Sequence, residues 1–199
     1  HSMNKKNEIK KGERIERVVG LSIIDKSQYK ALEEKQKESG FKFDEIFVIS
    51  SRSKDRHGDI VEQVWQLDNY NQPLEGETSG PVLINHNHMA LPVGKGFAWL
   101  EDGKLMSGVK FASEIDTYDI GKTVAELVRQ KFIKNASVGF IPLEWEYIQD
   151  SEADSDSGYR FLNNELLEWS VVNVPANPDA QRKMIAKVFN LDNLEKAGV

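Results

Sequence analysis

The chain of 199 residues contains no cysteine, only six prolines and only four histidines. Without thiols it forms no disulfide, thiolate zinc site or cysteine nucleophile. No apolar run approaches the roughly 18 residues of a membrane span, and no segment has the apolar pattern expected of a secretory leader. The net charge is −6 at pH 7, whereas nucleic-acid-binding domains are usually basic. The negative charge and the lack of a long apolar run predict that neither nucleic acid nor a membrane is a partner. The lack of cysteine is typical of a reducing cytoplasm.

The length predicts one domain. We interpret residues 1–16 as a tag remnant followed by a mobile segment, 17–190 as a single domain and 191–199 as a C-terminal tail. The segment 150–158 alternates acidic and small residues but lacks the glycine and glutamate positions of a calcium-binding EF-hand loop. It therefore predicts a solvated hairpin loop between Tyr147 and Tyr159.

Strand patterns dominate the chain. Alternation and β-branched residues predict strands over 17–24, 45–50, 60–67, 81–85, 93–100, 104–111, 136–148 and 159–174. Helical spacing predicts helices over 26–39, 115–132 and 177–189. Simple alternation in the last strand places Leu166 on the same face as Glu168 and Trp169 on the opposite face. We predict an α+β, mainly β fold: an antiparallel β-barrel flanked by helices.

Three side chains suited to acyl transfer follow one another along the chain: His86, Ser137 and Glu168. A serine hydroxyl is a poor nucleophile until a neighbouring base takes its proton, and that base needs a third group to orient it. Glu168 lies in an apolar strand, where an unpaired carboxylate is costly. Gly139 would leave room for a substrate carbonyl beside Ser137. The order His, Ser, acid differs from that of chymotrypsin, subtilisin and the α/β-hydrolases, which predicts another fold.

Other interpretations remain open. His88 is two residues from His86, so on a strand both side chains share a face. Such a pair also suits a metal-dependent hydrolase with Asp59 as a third ligand, although the spacing of known hydrolytic zinc sites is absent. Each residue also has a plain structural interpretation: a histidine closing a strand, Ser137 as an ordinary strand serine, and Glu168 as an exposed edge residue.

Four blocks of sequence resemble the tailed-phage prohead proteases. The blocks are DRHGDIV at 55–61, LINHN at 83–87 with LPVG at 91–94, ASVGF at 136–140, and LEWSVVNVPANP at 167–178. Each block is weak by itself, but four in one order are specific. Together they extend over about two-thirds of the chain. The chain departs from the family at Asn87, where the family often has Asp. We expect this difference to leave the triad intact and to change how the loop is held.

The resemblance implies a serine endopeptidase with the fold of the herpesvirus assemblins, a β-barrel wrapped by helices. Carried over by position, His86 is the general base, Ser137 the nucleophile and Glu168 the third member. Assemblins use a second histidine in the third role, which makes His88 the alternative. The family mechanism implies no cofactor and no metal.

The same resemblance implies the biological setting. The expected substrates are the phage scaffold protein, the prosegment of the major capsid protein and the protease itself. The place of action is the prohead interior within the host cytoplasm, and the gene belongs to a phage or a prophage. A homodimer is also implied. The alternative from another class is an inactive barrel that only binds scaffold during capsid assembly.

Overall fold

The computed structural model describes residues 18–19, 22–23, 26–52, 59–148 and 158–173. Within these ranges the helices are α1 (Lys26–Ser39) and α2 (Asp119–Arg129). The strands are β1 (Val18–Val19), β2 (Ser22–Ile23), β3 (Glu45–Ser51), β4 (Ile60–Val61), β5 (Trp65–Gln66), β6 (Gln72–Leu74), β7 (Glu77–Ile84), β8 (Gly94–Glu101), β9 (Lys104–Phe111), β10 (Asn135–Ile148) and β11 (Gly158–Val172). The predicted helix over 177–189 and most of the acidic loop lie outside the described residues.

Nine of the described strands form one curled sheet. Its main path runs β10–β11–β7–β8–β9–β3, with β4 and β5 paired to β11 and β6 paired to β7. Neighbours along the path are antiparallel, except that β11 and β7 are parallel. Strand β11 also runs parallel to β4 and β5. The two end strands, β10 and β3, approach each other without a hydrogen-bonded ladder between them.

The mainly β class with flanking helices is therefore confirmed, but the sheet is a mixed half-barrel. Strand patterns alone predict an antiparallel β-barrel. That prediction is wrong about strand direction, because β11 runs parallel to β7. The chain passes through β8, β9, α2 and β10 before β11 pairs with β7. Strand periodicity reports which residues alternate, and it carries no information about which distant strands become neighbours.

The longest pairing in the described chain joins β10 to β11. Tyr147 and Tyr159 are cross-strand partners, so the hairpin predicted between them is confirmed at its base. Their rings meet edge to face with centroids 5.6 Å apart, an arrangement that stabilises a strand pair by a fraction of a kcal/mol to about 1 kcal/mol. The hairpin carries two of the three sequence blocks in which we placed catalytic candidates.

A β-bulge interrupts this hairpin beside the candidate site. Gly139 pairs with Glu168, whereas the next residue of β10 pairs with Leu166, which leaves Leu167 as the extra residue. One extra residue reverses the alternation of side chains between the two faces. Leu166 consequently packs in the same core cluster as Trp169, three residues further on. The prediction that Leu166 shares a face with Glu168 is wrong for this reason.

Three other predicted elements are shorter or divided. The strand over 17–24 is two short antiparallel strands, β1 and β2, and the strand over 60–67 is two short strands, β4 and β5. The helix over 115–132 is confirmed only as α2, because a turn from Ile115 to Tyr118 precedes it and Lys131, at φ 67°, follows it. The hairpin turn at Asp102 and Gly103 has the expected left-handed backbone at both residues.

Two apolar clusters flank the sheet. Along β8, Phe97 and Trp99 belong to the cluster beside α1, whereas Ala98 between them belongs to the larger cluster that includes residues of α2. The larger cluster includes Phe47, Trp65, Tyr70, Val82, Val109, Val124, Val128, Leu166, Trp169 and Val171. Burial of each large side chain contributes about 1.5–3 kcal/mol. Trp169 and Val171 therefore fix the strand on which Glu168 lies. None of the described helices is long and apolar enough to span a membrane.

Candidate active site

His86 lies in a turn directly after β7. Asn85 has φ 49° and His86 has φ 54°, both in the left-handed region, where Asn and His are enriched among non-glycine residues. The predicted arrangement, with His86 and His88 on one face of a strand, is wrong because the strand ends at Ile84. The turn folds the chain back toward β11 and brings both histidines to the same carboxylate.

Hydrogen bonds to the last residues of β11 and just beyond hold this turn. The Asn85 amide donates to Val171 O (3.1 Å), and the His86 amide donates to Ser170 Oγ (3.0 Å). In return, the Asn173 amide donates to Asn85 Oδ1 (3.1 Å). Each net hydrogen bond contributes about 0.5–1.5 kcal/mol, which offsets the cost of two consecutive left-handed residues.

The imidazole of His86 is fixed by Glu168. His86 Nδ1 lies 2.5 Å from Glu168 Oε1, and the two side chains are 11% and 3% exposed. A carboxylate accepts hydrogen bonds, so the neutral ring carries its proton on Nδ1 and keeps a lone pair on Nε2. Nε2 is shielded from solvent and makes no hydrogen bond to a described residue. This is the tautomer that a general base requires.

Further contacts hold the Glu168 carboxylate. Ser170 Oγ donates to Oε2 at 3.0 Å, and His88 Nε2 lies 3.6 Å from Oε1. These partners offset the cost of burying a carboxylate. The side chain of His88 is 51% exposed, and its distance exceeds that of a hydrogen bond. Glu168 is thus a buried, paired carboxylate and not an exposed edge residue, and its close contact is with His86.

Ser137 lies half-buried on β10, directly opposite Ser170 of β11, and Gly139 is opposite Glu168. Directly opposed residues point to the same face, with Cβ atoms about 4.5–5.5 Å apart. Glu168 and Ser170, which both hold His86, therefore lie on the face of the hairpin that also carries Ser137. The structure thus brings His86 into contact with residues up to 84 positions away in the chain.

The space at Gly139 is filled by Glu168. A Cβ atom at position 139 would lie 2.2 Å from Glu168 Oε1 and 2.9 Å from Cδ, well inside van der Waals contact. The prediction that Gly139 leaves room for a substrate carbonyl is therefore wrong. The glycine permits the carboxylate to cross the neighbouring strand and reach His86.

Asp59 lies far from the histidines. Its Oδ1 accepts a hydrogen bond from the amide of Tyr159 (2.8 Å), nine residues before Glu168 on β11. At about 3.3 Å per residue this separation is about 30 Å. The described residues include no group of three or more His, Cys, Asp or Glu side chains arranged to hold a metal ion. The set of His86, His88 and Asp59 is consequently not assembled in the structure.

Tyr70 connects the site to the core. Its side chain is 1% exposed, and its hydroxyl donates to Pro81 O at 3.2 Å. Burial raises the pKa of Tyr70 well above its ordinary value of 10.0, and the negative charge of Glu168 raises this pKa further. The tyrosine is therefore neutral at physiological pH, and no second negative charge is buried near the carboxylate.

Sequence reasoning missed two residues of the site, Asn85 and Ser170. The signal for Asn85 was its type, because asparagine tolerates left-handed backbone and often marks a turn. The signal for Ser170 was its position: a hydroxyl two residues after Glu168, on the same face of an otherwise apolar strand. Asn85 holds the turn through hydrogen bonds to Val171 and Asn173, and the Ser170 hydroxyl accepts from the His86 amide. Strand patterns reveal neither set of contacts.

Comparison with known proteins identifies the family of the chain. A family model of caudovirus prohead serine proteases matches residues 53–196, well over half of the chain. The chain belongs to this family. The matched region of the chain contains His86, Ser137 and Glu168, and the resemblance noted in the four sequence blocks is confirmed. Searches of curated proteins and of solved structures find no match.

Proposed function

We propose that this prohead protease is a serine endopeptidase in which Ser137 is the nucleophile, His86 the general base and Glu168 the orienting acid. The observation that carries the proposal is the buried pair of His86 and Glu168. The contact at His86 Nδ1 leaves Nε2 as the lone-pair nitrogen. Further support comes from the β10–β11 register, because Ser137 shares a face of the hairpin with Glu168 and Ser170. A strand serine with no such neighbour would have no activating base.

In the acylation step, Ser137 Oγ attacks the carbonyl carbon of the scissile peptide. The hydroxyl proton passes to His86 Nε2, and Glu168 stabilises the imidazolium that forms. The tetrahedral intermediate then collapses: the C–N bond breaks, and His86 gives the proton to the departing amine. This leaves an acyl ester on Ser137. General acid–base catalysis of this kind contributes about 10²–10⁴-fold.

In the deacylation step, water replaces the amine. His86 Nε2 takes a proton from that water as it attacks the ester carbonyl, and the same proton returns to Ser137 Oγ when the ester bond breaks. The hydrogen bonds of Ser170 and Glu168 to His86 remain in place throughout, so the ring does not have to reorient between the two steps. A fixed ring is the form of preorganisation that lowers the entropic part of the barrier.

The substrates on this proposal are the scaffold protein and the prosegment of the major capsid protein, with self-cleavage as a regulatory event. The prohead interior is the place of action. Support comes from membership of a family of phage head-maturation proteases. An assemblin-like barrel and a homodimer belong to the same proposal.

The test is processing of the cognate capsid and scaffold proteins by the Ser137→Ala variant. Ser79→Ala is the matched control, because Ser79 is also a half-buried strand serine but lies on β7. The proposal predicts that the control cleaves both proteins and that Ser137→Ala leaves them intact. Cleavage by Ser137→Ala would reject the nucleophile assignment. Loss of wild-type activity on addition of a chelator would instead favour a metal-dependent hydrolase.

A further inference from the structure

The hydroxyl of Ser170 joins the two residues that we assign as base and acid. It donates to Glu168 Oε2 (3.0 Å) and accepts from the backbone amide of His86 (3.0 Å). Ser170 has no exposed surface, so no water can replace its hydroxyl without a rearrangement of β11. Ser170 Oγ thus holds both the Glu168 carboxylate and the backbone of His86, whose ring Glu168 orients.

Glu168 Oε2 and the His86 amide both depend on the Ser170 hydroxyl as a hydrogen-bond partner. Without the Ser170 hydroxyl, the Oε2 atom of a buried carboxylate loses its described hydrogen-bond donor, and the His86 amide loses its described acceptor. An unsatisfied buried polar group is costly, so both groups would move to find water. The His86 amide belongs to a turn with two left-handed residues, a conformation that persists only when the surroundings hold it.

We infer that Ser170 is a positioning residue for acyl transfer, acting on Ser137 through Glu168 and His86. This inference rests on the proposed function. Ser170 does not touch the reacting atoms: it fixes the imidazole by holding its backbone and its carboxylate partner at once. Its place opposite Ser137 in the β10–β11 ladder sets the distance between this anchor and the nucleophile.

Ser107 supplies a matched comparison within the same protein. It is also a fully buried strand serine, and its hydroxyl accepts from Trp169 Nε1 (3.0 Å) and donates to Gly108 O (3.1 Å). Ser107 bonds to the neighbour of Glu168 but to neither Glu168 nor His86. A purely structural serine would behave like Ser107 on replacement: stability would fall while kcat remained.

The closing experiment compares Ser170→Thr with Ser170→Val, together with Ser170→Ala and Ser107→Ala. Threonine and valine have the same shape and differ in the hydroxyl, so any crowding of the buried site is common to both. We expect Ser170→Val and Ser170→Ala to lower kcat by about 10- to 100-fold relative to Ser170→Thr and wild type, with KM changed less than about twofold. Ser107→Ala should retain kcat.

The second readout does not depend on activity. The proton on His86 Nδ1 gives a downfield NMR signal that reports its hydrogen bond to Glu168. We expect this signal to shift or disappear in Ser170→Val and to persist in Ser170→Thr and Ser107→Ala. Equal kcat and equal signals in the threonine and valine variants would overturn the inference and leave the proposed function standing. Cleavage by Ser137→Ala would reject the proposed function, while the NMR comparison would still decide whether Ser170 positions His86.

Discussion

Gly139 and Glu168 are opposed residues of β10 and β11, and the carboxylate of Glu168 occupies the volume that any side chain at position 139 would need. A Cβ atom there would lie 2.2 Å from Oε1, the same oxygen that binds His86 Nδ1. The orientation of the imidazole therefore depends on the absence of a side chain on the neighbouring strand. Gly139→Ala, which adds one methyl group, tests this dependence directly.

Gly139→Ala should displace the Glu168 carboxylate, because the backbone of β10 is held in the ladder and the Glu168 side chain is the softer partner. We expect kcat to fall by about 10²-fold, as small displacements of catalytic groups do, with a loss of about 1–3 kcal/mol in the free energy of unfolding from overpacking. Steady-state kinetics and urea unfolding measure the two effects.

The control for this prediction is the double variant with Glu168→Gln. If Gly139 acts through Glu168, the alanine should add little to the kinetic defect of the glutamine variant, because residues in contact are not additive. Fully multiplicative defects would show that Gly139 acts on the reaction by some other route.

Glu168→Gln should leave the fold in place and lower kcat strongly. The amide has the size of the carboxylate but cannot stabilise the imidazolium and favours the wrong tautomer of His86. We expect a decrease of about 10³- to 10⁴-fold. Glu165→Gln is the matched control on the same strand, where a half-buried carboxylate accepts a solvent-exposed hydrogen bond from Asn69 Nδ2 (2.9 Å). Equal activity in the two variants would remove Glu168 from the mechanism.

His88→Gln separates the two candidates for the third role. His88 Nε2 is 3.6 Å from Glu168 Oε1 and the side chain is half exposed, so its contact resembles a surface ion pair worth at most about 1 kcal/mol. We therefore expect kcat to change by less than about fivefold. A defect as large as that of Glu168→Gln, measured under the same conditions, would transfer the third role to His88.

The chemistry of single residues was easier to predict from the sequence than the sheet that brings them together. Residue chemistry was sufficient to expect a partner for Glu168, because an acidic side chain in an apolar strand needs one, whereas the catalytic roles of His86, Ser137 and Glu168 stay predictions. The parallel contact of β11 with β7 was not predictable, since it joins segments far apart along the chain. Neither was the bulge at Leu167, which shifts the alternation by one residue. The half-barrel and the turn at His86 both follow from such non-local contacts.

Asn85 and Gly139 show the limits of local interpretation most clearly. Asn85 looked like the last residue of a strand, but a left-handed turn there carries His86 back over β11. Gly139 looked like room for substrate, whereas the space is taken by a side chain 29 residues later in the chain. The residue type signalled an unusual backbone conformation at Asn85 and the need for a missing side chain at Gly139, and only the contacts with the neighbouring strand explained them.

Tyr70 predicts an alkaline limit to stability. Its folded pKa lies well above 10.0 because of burial and the charge of Glu168, whereas an unfolded tyrosine titrates near 10. Below that value the side chain is neutral in both states. Above it the unfolded state binds fewer protons, so the free energy of unfolding falls by up to about 1.4 kcal/mol per pH unit until the folded pKa is reached.

Urea unfolding from about pH 8 to about pH 11 measures this slope. Tyr70→Phe should be less stable than wild type near neutrality, because it loses the bond to Pro81, and should lose less stability as the pH rises. Tyr147→Phe is the control, because Tyr147 is 58% exposed. The prediction fails if the slopes of wild type and Tyr70→Phe are parallel.

The nucleophile can be identified directly by labelling the full chain with a fluorophosphonate, which reacts with activated serine hydroxyls, and mapping the adduct by mass spectrometry of peptides. The account predicts one adduct, on Ser137, in wild type and in Ser107→Ala, and its loss in His86→Ala. An adduct on another serine, or undiminished labelling of Ser137 without His86, would contradict the activation of Ser137 by the His86–Glu168 pair.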